Sequence, residues 1–376
     1  MESLGISNTL RSSMTMFYQS GSVLSLLAIG SVTDKIGTRR SILYFSIFMA
    51  LGYVMLAIAD TVYFCYLAMF IIGIGYGLCG LVPVSMLLTE WFAQKRGFSL
   101  GAAMCGSGVA TIIAPTFVTN VIAAWGVHSA FVVQASIITI CAVIAFAILR
   151  DKPSDVGMLP YGGQSSPERD IEENEHSHQL KLKDAIKDVR FVMMVAVMLM
   201  SGGMISLMVQ HLSPIISQSG YGEHLAAMAV SIYGTVMLVG KPVFGTVIDK
   251  FGILKANTYA YAFLMLALID GVFLSRNEIL IYEIPLFLGM GSAPLVTVGL
   301  PIWVSGLFGK VNMASIFAML KLCYTLGGMI GASIPGIVID HTGSYTDLFK
   351  LYIVVAIITY VVLQGLFLGN AKKSAY

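Results

Sequence analysis

The sequence predicts an all-α polytopic membrane protein built from two related helical bundles, and three observations predict it. Of 376 residues, 57% are hydrophobic and only 11% charged, far from the balance of a soluble domain. The apolar residues fall into long continuous runs, each near the ~20 residues a helix needs to cross ~30 Å of hydrocarbon, without the period-two alternation of a closed β-barrel. Finally, the loop "GSVTDKIGTRR" from Gly30 to Arg40 returns as "GTVIDKFGILK" from Gly245 to Lys255.

Eleven spans are expected. The first, 14–33, ends in the charges of the first loop, and the second, 41–59, starts after Arg40. The third, 62–88, holds Gly73 and Gly77, small residues that let helices approach closely. Its string "GIGYGLCG" follows no strand and opens no soluble domain, so it is not a dinucleotide loop. The fourth, 98–124, follows Lys95 and Arg96, and the fifth, 130–149, runs to Arg150. After a polar connection come 191–213, 225–248, 256–274, 279–307, 314–339 and 348–368. Pro83, Pro115, Pro294 and Pro335 are positions where spans can bend. The implied division is a five-helix bundle over 1–149, a linker over 150–190 and a six-helix bundle over 191–376.

Charge orients the spans. Seventeen of the 22 Lys and Arg lie in alternate connections: Lys35, Arg39, Arg40; Lys95, Arg96; Arg150 to Arg190; Lys250, Lys255; Lys310; Lys372, Lys373. Only Arg11, Arg276 and Lys350 lie opposite. The positive-inside rule then makes loops 34–40, 89–97, 150–190 and 249–255 and the C-terminus cytoplasmic, in the cell membrane.

Shifting the chain by 215 residues superposes Gly5 on Gly220, Tyr18 on Tyr233, Gly30 on Gly245, Asp34 on Asp249, Lys35 on Lys250 and Gly37 on Gly252. The second half has a span, 191–213, before Gly220, and the first has no equivalent before Gly5. One helix is therefore expected upstream of Met1, through a start site further upstream or truncation of a twelve-helix protein. In the linker, "PYGGQSSPERDIEENEHSH" reads as solvated, and "KLKDAIKDVR" as a short amphipathic helix on the inner leaflet with Leu182 and Ile186 down. His176 and His178 have no third ligand nearby, and Cys65, Cys79, Cys105, Cys141 and Cys323 lack metal-ligand spacing. No metal, cofactor or disulfide is expected.

Two lysines fall inside spans, Lys241 and Lys321. A charge near the bilayer centre costs roughly 2.5–3.5 kcal/mol and usually marks a solute or ion pathway. At 1.5 Å per residue, each sits about 10 Å in from the same face. Their counterparts in the first half are Leu26 and Cys105, so a need common to both bundles does not explain them. Asp270, Glu283 and Glu90 sit near span ends, which leaves an anionic solute as the natural counter-charge; snorkelling into the interface is the competing reading. Tyr324 shares a helical face with Lys321. Gln210 and His211 lie toward the outer end of their span. In the loops, Gly37 permits a tight reversal, and Asp34, closing its helix, either caps it or latches onto a neighbouring helix N-terminus or basic side chain.

Together, the two bundles, the charged connection and "GSVTDKIGTRR" resemble the major facilitator superfamily, whose signature is G-x3-D-[RK]-x-G-[RK]-[RK]; Thr38 is the one departure. "EWFAQKRGFSLG" and "RDKPSDVGMLPYGG" resemble its monocarboxylate porter and oxalate/formate antiporter branch. The resemblance implies the major facilitator fold with its first helix missing, and a secondary transporter of a small mono- or dicarboxylate, as antiporter or proton symporter. It places Lys241 in family helix 8, usually Arg in that branch, and Lys321 in helix 11. It places Tyr76, Thr297 and Trp303 in helices lining the cavity. The implied gating loops comprise Gly30, Asp34, Gly37, Arg39, Arg40, Asp249, Lys250 and Gly252. Solute and lipid bilayer are the expected partners, with no nucleic acid, and a monomer suffices. Alternatives are an efflux permease for apolar or cationic compounds and a transport-dead sensor; no catalytic constellation suggests an enzyme.

Overall fold

The computed structural model describes residues 8–163, 187–309, 313–331, 334–342 and 345–373. Among them every regular element is helical, and one isolated bridge pairs Phe92 with Tyr161. In chain order the helices are α1 (Asn8–Ile36), α2 (Thr38–Ala57), α3 (Val62–Trp91), α4 (Arg96–Met104), α5 (Gly106–Ile148), α6 (Val189–Gln210) and α7 (Gly222–Phe251). They continue as α8 (Ile253–Phe273), α9 (Leu280–Phe308), α10 (Met313–Gly331), α11 (Ile334–Thr342) and α12 (Thr346–Lys373).

Nine helical stretches among the described residues are long and apolar enough to cross a bilayer, against eleven expected spans. The difference has two physical sources. α1 covers the first expected span but is diluted by Gln19, Ser20, Ser22 and Ser25. The expected spans 98–124 and 130–149 run on as one stretch, Arg96–Ile148, turned at Gly126, whose φ of 81° leaves the helical region. A further break within that stretch, at Cys105 between α4 and α5, has no proline or positive-φ glycine to announce it.

By contacts the chain divides into two units. The first comprises Met1–Ala93, Ile113–Ser166 and Ala314–Met319. Helices in a membrane gain little from burying apolar surface against one another, so they rely on close approach of small residues. In this unit Gly73 lies against the Tyr18 carbonyl, Gly77 against Ser25 and Gly52 against Ile72, joining α3 to α1 and α2. Ala68, Ile72 and Met14 fill the core. After α5 the chain folds back onto the end of α3: Trp91 Nε1 donates to the Arg150 carbonyl at 2.9 Å, and Tyr161 N–H to the Trp91 carbonyl at 2.8 Å. The expected solvated linker is thus already tethered over its first residues, through Tyr161. His176, His178, Leu182 and Ile186 lie outside the described residues.

The second unit comprises Gln94–Ile112, Pro167–Met313 and Leu320–Tyr376. Gly240 meets the Gly289 carbonyl, Gly291 the Ala260 carbonyl and Gly327 the Leu199 carbonyl, so α9 packs on α7 and α8, and α10 on α6, at backbone distance. Three five-residue π turns lie here: Gly202–Ser206, Ser217–Tyr221 and Leu295–Gly299. Prolines account for part of this. Pro214 and Pro301 have no N–H to give the carbonyls of Gln210 and Thr297, so the hydrogen-bond ladder shifts register nearby. Outside both cores, large apolar side chains such as Trp125, Ile140 and Ile148 stay exposed, as hydrocarbon-facing surfaces do.

Candidate solute site and loop contacts

In the second unit, Lys321 lies on α10 one turn before Tyr324, and its ammonium stands 4.5 Å from the centre of that ring. A cation over an aromatic face is attracted by the ring quadrupole, by about 0.5–2 kcal/mol depending on desolvation. The lysine as a whole is half-buried. α10 is held in place by close contacts: Gly202 lies against the Tyr324 carbonyl, and Gly328 lies near Ser206 Oγ. Tyr233, in the same unit, is buried. Gln210 donates to Ser206 Oγ at 2.8 Å, and His211 is half-buried where α6 ends.

Lys241 is placed differently from the expectation that the two ammoniums share one solute. It is 2% exposed, which also excludes snorkelling. Its Nζ donates to the Met104 carbonyl at 3.0 Å and to Ser107 Oγ at 2.6 Å, on either side of the break between α4 and α5. The two described ion pairs, Arg190 with Asp188 and Lys350 with Asp347, involve neither lysine.

The repeated loops share a backbone. Gly37 and Gly252 both have φ of 82°, the left-handed region that lets one helix end and the next begin within a residue. Their polar contacts differ. Asp34 is exposed at the end of α1 and makes no hydrogen bond among the described residues, so neither the cap nor the latch expected of it is seen. Instead the Arg39 N–H donates to Asp151 Oδ1 at 2.7 Å. The Arg39 guanidinium gives two bonds to the Phe146 carbonyl, at 2.9 and 2.7 Å, and stacks 3.9 Å from the Phe146 ring. Arg40 is exposed. In the second copy Asp249 accepts from the N–H groups of Gly97 and Phe98, at 2.9 and 2.8 Å, capping the N-terminus of α4. Lys250 is exposed beside it.

The profile of the Major Facilitator Superfamily matches residues 1–332. The chain belongs to that superfamily. It is a multi-pass membrane transporter by descent. Monocarboxylate transporter 12 of the rat, Rattus norvegicus, is 23% identical over 351 residues, covering 86% of this chain and 70% of that protein. Among solved structures, the proton:xylose symporter XylE superposes with a TM-score of 0.75 at 13% identity, over 95% of this chain and 87% of the other. The transporter FucP, in an outward conformation, gives 0.71 at 13% identity, over 96% and 91%. At such identities the structures speak for the fold alone.

For this superfamily member, the three residues expected on cavity-lining helices each make local contacts. Trp303 is 1% exposed, and its indole N–H is taken by Asn257 Oδ1 at 3.0 Å, so it is a packing residue. Thr297 donates back to the Ala293 carbonyl at 2.8 Å. Tyr76 belongs to the first unit, where it is exposed and its ring lies 5.8 Å from that of Tyr18. Gly30 approaches Ser315, and Gly245 approaches Gly97, at the start of α10 and α4 respectively. Sequence reasoning missed Met104, Ser107, Asp151, Ser206 and Asn257. Single serines, asparagines and a backbone carbonyl carry no pattern by which a sequence can single them out.

Proposed function

We propose that this transporter moves a small organic anion by alternating access, with Lys321 as the solute's counter-charge and Tyr324 beside it. The observation that carries the reading is an ammonium inside a membrane bundle, set over an aromatic face and joined to no carboxylate among the described residues. A buried cation of this kind gains most from an anion that arrives, binds and leaves. A monocarboxylate fits better than a dicarboxylate, because the second intramembrane ammonium already serves two oxygen acceptors. The name of the rat relative, a monocarboxylate transporter, supports the same class. The basic loops at 34–40, 89–97, 150–190 and 249–255 would face the cytoplasm.

Counterflow in proteoliposomes tests it, with labelled formate, lactate, pyruvate and oxalate and a neutral control. Uptake of a monocarboxylate that Lys321→Gln abolishes is the expected result. Uptake that survives the substitution overturns the role of Lys321. Movement of only neutral or cationic compounds would point to an efflux permease, and binding without movement to a sensor.

A further inference from the structure

α7 runs antiparallel to the segment formed by α4 and the start of α5, at backbone distance. Gly97 meets Gly245, Gly101 meets Lys241 and Pro242, and Gly108 meets Gly234, so each step along one helix is matched by an equal step back along the other. The break at Cys105 lies in the middle of this seam. There the Gly108 N–H, which a regular helix would give to the Met104 carbonyl, goes to the Cys105 carbonyl at 2.8 Å. The Met104 carbonyl is left without its main-chain donor, inside a bilayer where water does not replace it. Lys241 Nζ fills the position at 3.0 Å, Ser107 Oγ donates to the same carbonyl at 3.1 Å, and Lys241 also donates to Ser107 Oγ at 2.6 Å.

We propose that Lys241 and Ser107 form an intramembrane clamp that holds the break between α4 and α5 against α7, and that Lys241 positions this hinge for turnover instead of binding the solute. The triangle of hydrogen bonds explains how the chain keeps a buried ammonium without an acid. A cation at the C-terminal end of α4 also meets the negative end of that helix. Because the bonds cross the seam, α7 and the hinge are joined at its midpoint. The clamp does not depend on the carboxylate reading of the solute.

Transport and heat stability of Lys241→Gln, Lys241→Met, Ser107→Ala and the Lys241→Met/Ser107→Ala double variant test it, with labelled lactate and pyruvate as probes. Ser107→Ala and Lys241→Met are expected to lower maximal turnover by about tenfold while KM stays within about threefold. Lys241→Gln, which keeps a donor, is expected to lose less. In a double-mutant cycle on the thermal midpoint in detergent, the double variant should resemble Lys241→Met alone, since both substitutions open one triangle. A roughly tenfold rise in KM with turnover kept, in either Lys241 variant, would overturn the proposal and return Lys241 to the solute. So would strictly additive stability losses. If neither probe is transported, the stability cycle still decides the clamp, while the anion reading fails separately.

Discussion

The loops Gly30–Arg40 and Gly245–Lys255 have the same backbone reversal, yet each uses a different part of the motif. In the first, the aspartate is exposed and the arginine does the tethering, through Asp151 and the carbonyl and ring of Phe146. In the second, Leu254 and Lys255 replace the two arginines, and the aspartate instead docks onto the N-terminus of α4. Duplication preserved the turn, which depends on one glycine, and let the contacts diverge, which depend on what lies next to each copy.

The largest expected contrast tests the close approaches flanking the loops. A methyl group at Gly245 would run into the backbone of Gly97, whereas at Gly30 it would meet the rotatable side chain of Ser315. Gly245→Ala should therefore cost about 1–3 kcal/mol and Gly30→Ala clearly less, read as thermal midpoints in detergent. Equal losses would mean that the α4 seam is no more rigid than its counterpart.

A smaller contrast concerns the turns. With φ of 82° and ψ of 157° and 168°, Gly37 and Gly252 sit where any side chain is strained by about 1–3 kcal/mol. Gly252→Ala should show that alone, since nothing lies near its missing Cβ. Gly37→Ala should lose more, because its Cβ would come 2.8 Å from Asp151 Oδ2. Replacing Asp151 with alanine in the Gly37→Ala background should narrow the gap, and an unchanged gap would break the argument.

The acids give the next effect. Asp249→Ala removes a helix cap and should lower stability by about 0.5–1 kcal/mol, while Asp34→Ala should stay within about 0.5 kcal/mol of the parent. A larger loss for Asp34 would show that the first loop has a second, latched arrangement. Smallest is Arg39→Lys, which keeps the charge but loses the paired bonds and ring stacking; a drop of about 0.5 kcal/mol is expected, and full retention would assign Arg39 to topology alone.

Much of the helical layout was legible in the chain because hydropathy and glycine act locally. The limits of α2, α7 and α9 fall within a few residues of expectation, and Gly37 and Gly252 turn the chain where the motif says. Positions with no local signal were missed: the break at Cys105, and the π turns near Pro214 and Pro301, where missing N–H groups could be seen but not the register the helix would choose. Trp303 was expected on a cavity-lining helix, and nothing local announced that Asn257, 46 residues earlier, takes its indole N–H.

The sequence by itself determined that this is a helical membrane protein of a transporter family, where its chain reverses, and that two ammoniums must be accommodated inside spans. Only the tertiary structure decided how. It placed Lys321 over Tyr324, and gave Lys241 to a carbonyl and a serine more than 130 residues away. The physical reason is one of range. Solvation energy is set residue by residue along the chain, whereas the partner of a buried charge is set by which helices are brought side by side.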